Sequence, residues 1–232
     1  MNLACSECPV RDSAACSVLS DEERDALAAA GRTRTLKRGE MLFAAGDEDA
    51  ACATLVSGAL KVSAIDVDGN EQILSLVHPA GFVGEMFAPF AHYDVVALTE
   101  SKLCTFAKAD IEAGLTSYPA LTRALLRRSQ EDLYATRSLL ELTAHASAEA
   151  RLAAMLWDFA RAASHSPCHA VEEFELPLTR GEIANMLGLT IETVSRKLGD
   201  LEDIGAIRRK GKRGIELLDP AHLQALSGRF PE

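Results

Sequence analysis

The chain has 232 residues, of which 48% are hydrophobic and 25% are charged, with a formal net charge of −10 at pH 7. This length and composition are typical of one large or two modest globular domains, and the negative charge argues against a protein that coats nucleic acid in general. The sequence has neither the basic start and apolar run of a secretion signal nor the roughly 18 consecutive apolar residues of a membrane helix, so it predicts a cytoplasmic protein with no membrane partner.

Three of the six cysteines lie within the first sixteen residues, in the segment CSECPVRDSAAC. Cys5 and Cys8 have the spacing at which two thiolates on one tight turn reach the same metal, and Cys16 can add a third ligand. Thiolates at this density favour zinc or an iron–sulfur centre, and the reducing cytoplasm argues against structural disulfides. Cys52 and Cys168 lack such a spacing and are interpreted as ordinary small or surface residues.

A short helix over 21–30, capped by Ser20, precedes a series of apolar runs that are separated by glycines. Short strands with regular turn signals predict an antiparallel sandwich or barrel. The segment DVDGNEQ is expected to be a hairpin turn, because Asp, Gly and Asn supply the positive φ angles of such a reversal. The runs themselves are MLFAAG, ATLVSG, ALKVSAID, EQILSLV and VVALTESKLCTF.

From 120 to about 143 the pattern changes to a long helix without glycine or proline. Leu126, Leu133 and Leu140 repeat every seven residues, and small polar residues such as Thr136 follow three positions after each. This repeat favours a short coiled-coil seam between two copies of the chain, with a simple core helix as the alternative. A second stripe can pack on the sandwich, formed by Leu125, Leu139 and Leu142.

A second helix over 148–163 leads to the segment TRGEIANMLGLTIETVSRKLGDL, which predicts a helix-turn-helix. Thr179 and Glu182 have the spacing of a capping box, Gly188 ends the first helix, and Thr190 caps the second. The following segment, AIRRKGKRGIEL, turns at a glycine and predicts a basic two-stranded wing. Between 178 and 213 there are eight basic and five acidic residues, so this stretch is basic within an acidic chain.

The second helix of this pattern presents a compact set of base-reading side chains, Glu192, Ser195 and Arg196. Glutamate accepts a hydrogen bond from cytosine, arginine donates two to guanine, and serine can bond to either partner. Neighbouring side chains are expected to contact the DNA backbone: Thr179, Arg180, Thr190, Thr193, Lys197, Arg208 and Lys212.

With strands, long helix and winged helix-turn-helix in this order, nearly the whole chain resembles the cyclic AMP receptor protein superfamily of transcription regulators. RGEMLFAAGDEDA, LVSGALKVSAIDVDGNEQIL and GFVGEMF look like that family's β-roll, and LTRGEIANMLGLTIETVSRKLGDLEDIGAI looks like its DNA-binding domain. The resemblance implies an α+β fold in which a β-roll (jelly roll) like that of cyclic-nucleotide-binding domains precedes a long dimerisation helix and a C-terminal winged helix-turn-helix. The implied segments are 1–19 for the cysteines, 20–118 for the β-roll, 119–145 for the helix and 146–232 for the DNA-binding domain.

Within the superfamily, ETVSR resembles the reading head of the fumarate and nitrate reduction regulator (FNR) branch. That branch holds an oxygen-labile [4Fe-4S] cluster on three N-terminal cysteines and one distant cysteine in the β-roll, and Cys104 stands at the matching place. The resemblance therefore implies Cys5, Cys8, Cys16 and Cys104 as cluster ligands. It also implies a homodimer that binds double-stranded DNA at a palindromic TTGAT-type site without oxygen, with RNA polymerase as a partner and a seam at Leu126, Leu133, Thr136 and Leu140.

Several other functions stay open or are disfavoured. Superfamily members that bind cyclic nucleotides need a glutamate for the ribose and an arginine for the phosphate; Glu85 is present, but FAHYDVVAL offers only His92. Haem binding has no ligand pattern either. A thiol-redox or zinc-dependent regulator remains an alternative. Enzymatic activity is not expected, because the sequence contains no phosphate loop, G-x-S-x-G elbow or H-E-x-x-H motif.

Overall fold

The structure is a computed structural model that describes residues 4–163 and 171–228. The chain forms two units, Met1–Thr136 and Arg137–Glu232, and the boundary between them falls within one long helix. Cys168, interpreted above as an ordinary residue, lies outside the described residues. No helix in the described ranges combines the length and the apolar character needed to cross a membrane.

The first unit begins with 3-10 turns at Cys5–Glu7 and Ala15–Val18, followed by helix α1 (Asp21–Ala30). The predicted start of α1 is confirmed, because Ser20 and Glu23 form a capping box. The Glu23 backbone N–H donates to Ser20 Oγ at 3.2 Å, and the Ser20 N–H donates to Glu23 Oε2 at 2.9 Å.

The predicted β-roll is confirmed as two four-stranded antiparallel sheets, in the orders β1-β8-β3-β6 and β2-β7-β4-β5. Strand β1 was not predicted, because its sequence RTRTL has only one apolar residue, and the predicted run VVALTESKLCTF divides into β7 and β8. The strands are β1 (Arg32–Leu36), β2 (Met41–Phe43), β3 (Cys52–Ser57), β4 (Leu60–Ile65), β5 (Glu71–Val77), β6 (Phe82–Val83), β7 (Asp94–Ala97) and β8 (Ser101–Phe106).

The predicted hairpin turn joins β4 to β5. Asp66 Oδ1 accepts hydrogen bonds from the backbone N–H groups of Asp68 and Asn70, both at 2.9 Å, and Gly69 has a φ of +83°. The Asp side chain thus replaces a backbone acceptor in the turn, and glycine takes the left-handed position.

Strand β8 separates two apolar layers, because alternate side chains point to opposite faces of the sheet. Leu103 packs inside the roll, whereas Cys104 and Phe106 face outward, onto a cluster that three helices complete. These are α1, α2 (Lys108–Ser117) and α3 (Pro119–His145). Leu125 of α3 is buried in this cluster, as the second leucine stripe predicted; Leu139 and Leu142 belong to the second unit instead.

The second unit contains the predicted helix-turn-helix and wing. A third strand, β9, pairs with β11, so the wing sheet has the order β10-β11-β9. The sequence interpretation included neither this strand nor the last helix. The elements are α4 (Ala148–Ala162), β9 (Glu173–Glu175), α5 (Arg180–Leu187), α6 (Ile191–Asp203), β10 (Ile207–Lys210), β11 (Gly214–Leu217) and α7 (Pro220–Leu226).

Candidate metal centre and DNA interface

Four cysteines line one cavity of about 60 Å³ in the first unit. Cys5 and Cys8 lie at the first 3-10 turn, Cys16 lies in the second, and Cys104 lies on β8. The structure therefore brings the three closely spaced cysteines together with the distant one. Other side chains of the lining are mostly apolar, including Val10, Ala15, Val56, Phe82, Phe106, Ile111, Leu121 and Leu125.

Burial favours the protonated form of three of the thiols, Cys5, Cys16 and Cys104. It is the main cause that raises the pKa of Cys104 to about 12, and negative charge on Cys5, Cys16 and Cys8 adds to it. Burial, followed by the charge on Cys8, also raises the pKa of Cys5 and of Cys16. Each thiolate would thus repel the others, and a metal cation in the cavity would reverse this balance by stabilising the thiolate forms.

The residues present fit a thiolate-bound metal group by donor chemistry and by location. Four thiols at a mostly apolar cavity are the donors that zinc and iron–sulfur clusters use. In the side-chain arrangement of the structure, however, no group of three or more His, Cys, Asp or Glu within residues 4–163 and 171–228 forms a ligand set for a metal ion. The fit therefore concerns the kind and the location of the donors and not their arrangement.

Arg24 fixes the backbone that follows Cys16. This residue is only 7% exposed, and its guanidinium donates hydrogen bonds to the carbonyl oxygens of Cys16, Ser17 and Leu19, at 3.2, 3.3 and 2.9 Å. Sequence reasoning missed this residue, because it stands in the surface-like run DEERDA and nothing in that run marks it as buried. Arg24 anchors the third cysteine to α1.

Helix α3 contacts the cysteine segment through both polar and apolar groups. Arg128 Nη2 donates to the Ser13 carbonyl oxygen at 2.9 Å, between Cys8 and Cys16 in the sequence. On the same helix, Leu121 and Leu125 line the cavity. Any displacement of the cysteine segment therefore acts on α3 directly.

The other side of α3 carries the predicted seam. Leu126, Leu133 and Leu140 are 62%, 49% and 68% exposed in the single chain. Thr136, the polar seam residue, satisfies its hydroxyl by donating to the Asp132 carbonyl oxygen at 2.9 Å. Exposed leucines at this spacing form an apolar stripe that a second helix can cover.

Glu85, the carboxylate that a ribose would need, is bound within the chain. The His92 backbone N–H donates to Glu85 Oε1 at 2.9 Å, and His92 Nδ1 contacts Glu85 Oε2. No arginine stands among residues 86–97 to meet a phosphate. Glu85 and His92, the groups that the sequence offered to a cyclic nucleotide, therefore contact each other in the structure.

The helix-turn-helix forms as its sequence predicts. Thr179 and Glu182 make the capping box of α5, Gly188 ends that helix with a φ of +62°, and Thr190 caps α6 by accepting from the Thr193 N–H at 3.2 Å. The buried stripe of α6 consists of Val194, Leu198 and Leu201.

The base-reading candidates lie on the opposite side of α6. Glu192 and Arg196 are exposed, and Arg180 Nη1 donates to Ser195 Oγ at 3.2 Å. Hydrogen bonds from its own backbone N–H and then from Thr190 hold the pKa of Glu192 below its usual range, so this residue is a carboxylate at neutral pH. Lys197 differs, because its ammonium lies 2.7 Å from Asp200 and 3.7 Å from Glu149.

The predicted cations of the wing are not equivalent. Arg208 forms an ion pair with Glu216 at 3.0 Å. Lys212, at the tip between β10 and β11, makes no ion pair or side-chain hydrogen bond within the described part of the chain.

Two family models match the chain. A Crp-like helix-turn-helix domain matches residues 150–226, and a cyclic nucleotide-binding domain matches residues 33–118. The three N-terminal cysteines precede both matches, whereas Cys104 lies within the second.

Curated relatives match almost the whole length. The chain is 32% identical to the transcriptional activator protein FnrL of Cereibacter sphaeroides, over 97% of this chain and 92% of the relative. It is also 32% identical to the nitrogen fixation regulation protein FixK of Bradyrhizobium diazoefficiens, over 96% and 93%. Among solved structures, FixK2 from Bradyrhizobium japonicum has a similar fold, with a TM-score of 0.78 at 22% identity over 87% of this chain and 99% of FixK2.

The position of Arg24 generates a prediction about Cys16 in reduced, metal-free protein. Arg24→Ala should accelerate alkylation of Cys16 by about tenfold or more, since losing a hydrogen bond to a charged group costs roughly 1.5–3 kcal/mol and opens the segment. Burial raises the pKa of Cys16, and the positive charge of Arg24 partly offsets this effect. Loss of that charge alone would therefore leave less thiolate at Cys16 and slow its alkylation. Peptide mass spectrometry after timed iodoacetamide exposure measures the rate.

Arg34→Ala is the matched control, because Arg34 donates to the carbonyl oxygens of Leu42 and Met41 and does not line the cavity. It should leave the Cys16 rate unchanged. An unchanged rate in Arg24→Ala would show that Arg24 does not hold the segment.

Proposed function

We propose that this chain, which belongs to the CRP/FNR family of transcription regulators, senses oxygen through a [4Fe-4S] cluster and binds DNA as a homodimer when oxygen is absent. At the coarser level, it is a DNA-binding transcription regulator of the FNR/FixK type and not an enzyme. Regulators of this family bind DNA and act as dimers. The signal, the cofactor, the DNA sequence and a contact with RNA polymerase are the proposed parts.

The observation that carries the proposal is the meeting of four thiols from two distant segments at one cavity. The cluster would be held by Cys5, Cys8, Cys16 and Cys104. When bound, it would supply the reaction with oxygen, in which the cluster itself is destroyed. The protein leaves these thiols only partly exposed to water, and Arg24 and Arg128 tie the segment to α1 and α3.

Dimer formation depends on α3 in this proposal. The helix presents Leu121 and Leu125 to the cavity and Leu126, Leu133 and Leu140 to solvent. Ordering the cysteine segment fixes the first side, and this favours pairing of the second side with another copy. Two linked reading heads then bind a palindrome far more tightly than one, because the second half-site is reached within the same complex.

Base reading is assigned to Glu192, Ser195 and Arg196, which α6 presents on its exposed side. The ETVSR motif supports a TTGAT-type half-site. Thr179, Arg180, Thr190, Thr193 and Lys212 are assigned to the backbone of the DNA. Lys197 and Arg208, predicted to act in the same way, must first exchange a carboxylate partner for a phosphate.

The first prediction of this proposal concerns the ligands. Cys104→Ser should abolish the iron and sulfide content of protein purified without oxygen, because the cluster loses one of the four thiolates that line the cavity. Cys52→Ser is the matched control: Cys52 is buried and lies on β3, a neighbour of β8 in the same sheet, but does not line the cavity.

Elemental analysis and the brown colour that bleaches in air distinguish the outcomes. A full cluster in Cys104→Ser would contradict the assignment of the fourth ligand. Colourless wild-type protein that contains zinc would support the zinc-dependent alternative, and metal-free protein whose DNA binding follows thiol oxidation would support the redox switch.

The seam generates the second prediction. Leu133→Glu should convert the anaerobic dimer to a monomer while the iron content is retained, because an unpaired charge buried in so short a seam costs several kcal/mol. Tyr134→Glu, a neighbouring exposed position outside the leucine stripe, is the control. Anaerobic light scattering measures the mass, and a dimer in Leu133→Glu would place the interface elsewhere.

The reading head generates the third prediction. Arg196→Ala should cost roughly 1–3 kcal/mol on a TTGAT palindrome and much less on a duplex in which the guanine is replaced, because a bidentate guanine contact is lost. Anaerobic anisotropy titrations with both duplexes measure the difference. Equal losses on the two duplexes would make Arg196 a phosphate contact.

A further inference from the structure

The outer face of the wing sheet carries more carboxylates than cations. The register of the three strands aligns Arg208 on β10 with Glu216 on β11, and Glu216 with Glu173 on β9. Because side chains alternate along a strand, Lys210 and Glu175 lie on this same face. The face therefore holds two cations and three carboxylates.

The carboxylates are in contact with the cations. Glu216 Oε2 lies 3.0 Å from Arg208 Nη1 and 3.4 Å from Lys210 Nζ, and Glu173 Oε2 lies 2.7 Å from Lys210 Nζ. Partial desolvation opposes ionisation of Glu216, but Lys210 and Arg208 outweigh it and hold its pKa below the usual range. Within the described residues, Glu175 has no such partner.

The same pairing extends to the next wing cation. Arg209 Nη2 lies 2.5 Å from Glu202, at the end of α6. By contrast, the side chains of Lys212 and Arg213 at the tip make no ion pair in the ranges that the structure describes. The sequence is basic if charges are counted over 178–213. Counted over 172–217, which includes all three strands of the wing sheet, it has eight basic and nine acidic residues, so the excess of positive charge disappears.

We propose that Glu216, together with Glu173, limits the DNA affinity of each unit by neutralising Arg208 and Lys210, so that the wing reaches phosphate through its tip. The inference rests on the DNA-binding function proposed above. A cation paired with a carboxylate brings no net charge to the DNA and displaces no counterion, and its carboxylate approaches the phosphate with it. The second unit of a single chain then binds DNA weakly, and stable binding requires the second units of both chains in a dimer.

Salt-dependent binding of the full-length anaerobic protein tests this inference. Glu216→Gln should tighten binding to a TTGAT palindrome and to a scrambled duplex alike, and should steepen the slope of log affinity against log salt by about 0.9 for each cation that gains a phosphate. Glu175→Gln removes the same charge from the same face but releases no cation, and its slope should match that of wild type.

Anisotropy titrations over a range of KCl concentrations decide between the outcomes. A wild-type slope in Glu216→Gln, or equal steepening in Glu175→Gln, would overturn the inference, because the effect would then be absent or a matter of total charge. Glu173→Gln repeats the test in case Glu216→Gln fails to fold, since it removes the ion pair between Glu173 and Lys210. If the wild-type protein bound the two duplexes with equal affinity, the proposed TTGAT-type site would be wrong. The comparison of salt slopes between the variants would still test the inference, because it does not depend on the DNA sequence.

Discussion

Desolvation of neighbouring thiols, that of Cys5, Cys16 and above all Cys104, is the constraint on which the first unit depends. A thiol with a pKa of about 12, as for Cys104, stays protonated at neutral pH unless a cation compensates the cost of its charge. The cysteine segment has few apolar residues with which to hold itself in place; Val10, Ala14, Ala15 and Leu19 are its buried ones. Its position therefore depends on Arg24 and, in our proposal, on the metal group that the thiols hold.

In our proposal, helix α3 is the element that couples the thiol cavity to dimer formation. One face of the helix completes the cavity through Leu121 and Leu125, and another exposes Leu126 and Leu133. In the proposal no long path between sites is needed, since residues of one helix line the cavity and form the expected seam. Arg128 adds a polar contact to the cysteine segment through the Ser13 carbonyl oxygen.

The second unit carries no net positive charge, since residues 137–232 contain 12 Lys and Arg against 14 Asp and Glu. In our proposal, exposed Glu192 and Arg196 supply donors and acceptors for bases, while ion pairs occupy Arg208, Arg209 and Lys210. Such exposed pairs contribute little to folding stability. Their effect on binding is larger, because affinity for DNA follows the number of cations available to phosphate. In our proposal, a DNA-binding domain built in this way relies on the same domain of its dimeric partner.

The sequence by itself determined the elements whose signals are local. Ser20 with Glu23, Thr179 with Glu182, and the glycines of the β4–β5 turn and of α5 each satisfy nearby backbone groups, so their caps and turns were predicted where they occur. Spacing alone also grouped Cys5, Cys8 and Cys16. Tertiary structure decided the rest. Cys104, which the family resemblance had implied, joins them because β8 turns alternate residues outward. Arg24 is buried because its guanidinium donates to the carbonyl oxygens of Cys16, Ser17 and Leu19, and the wing cations Arg208 and Lys210 are paired because β9 and β11 place Glu173 and Glu216 beside them. These contacts depend on how strands and turns are placed against one another, which neither periodicity nor a charge count over a window can detect.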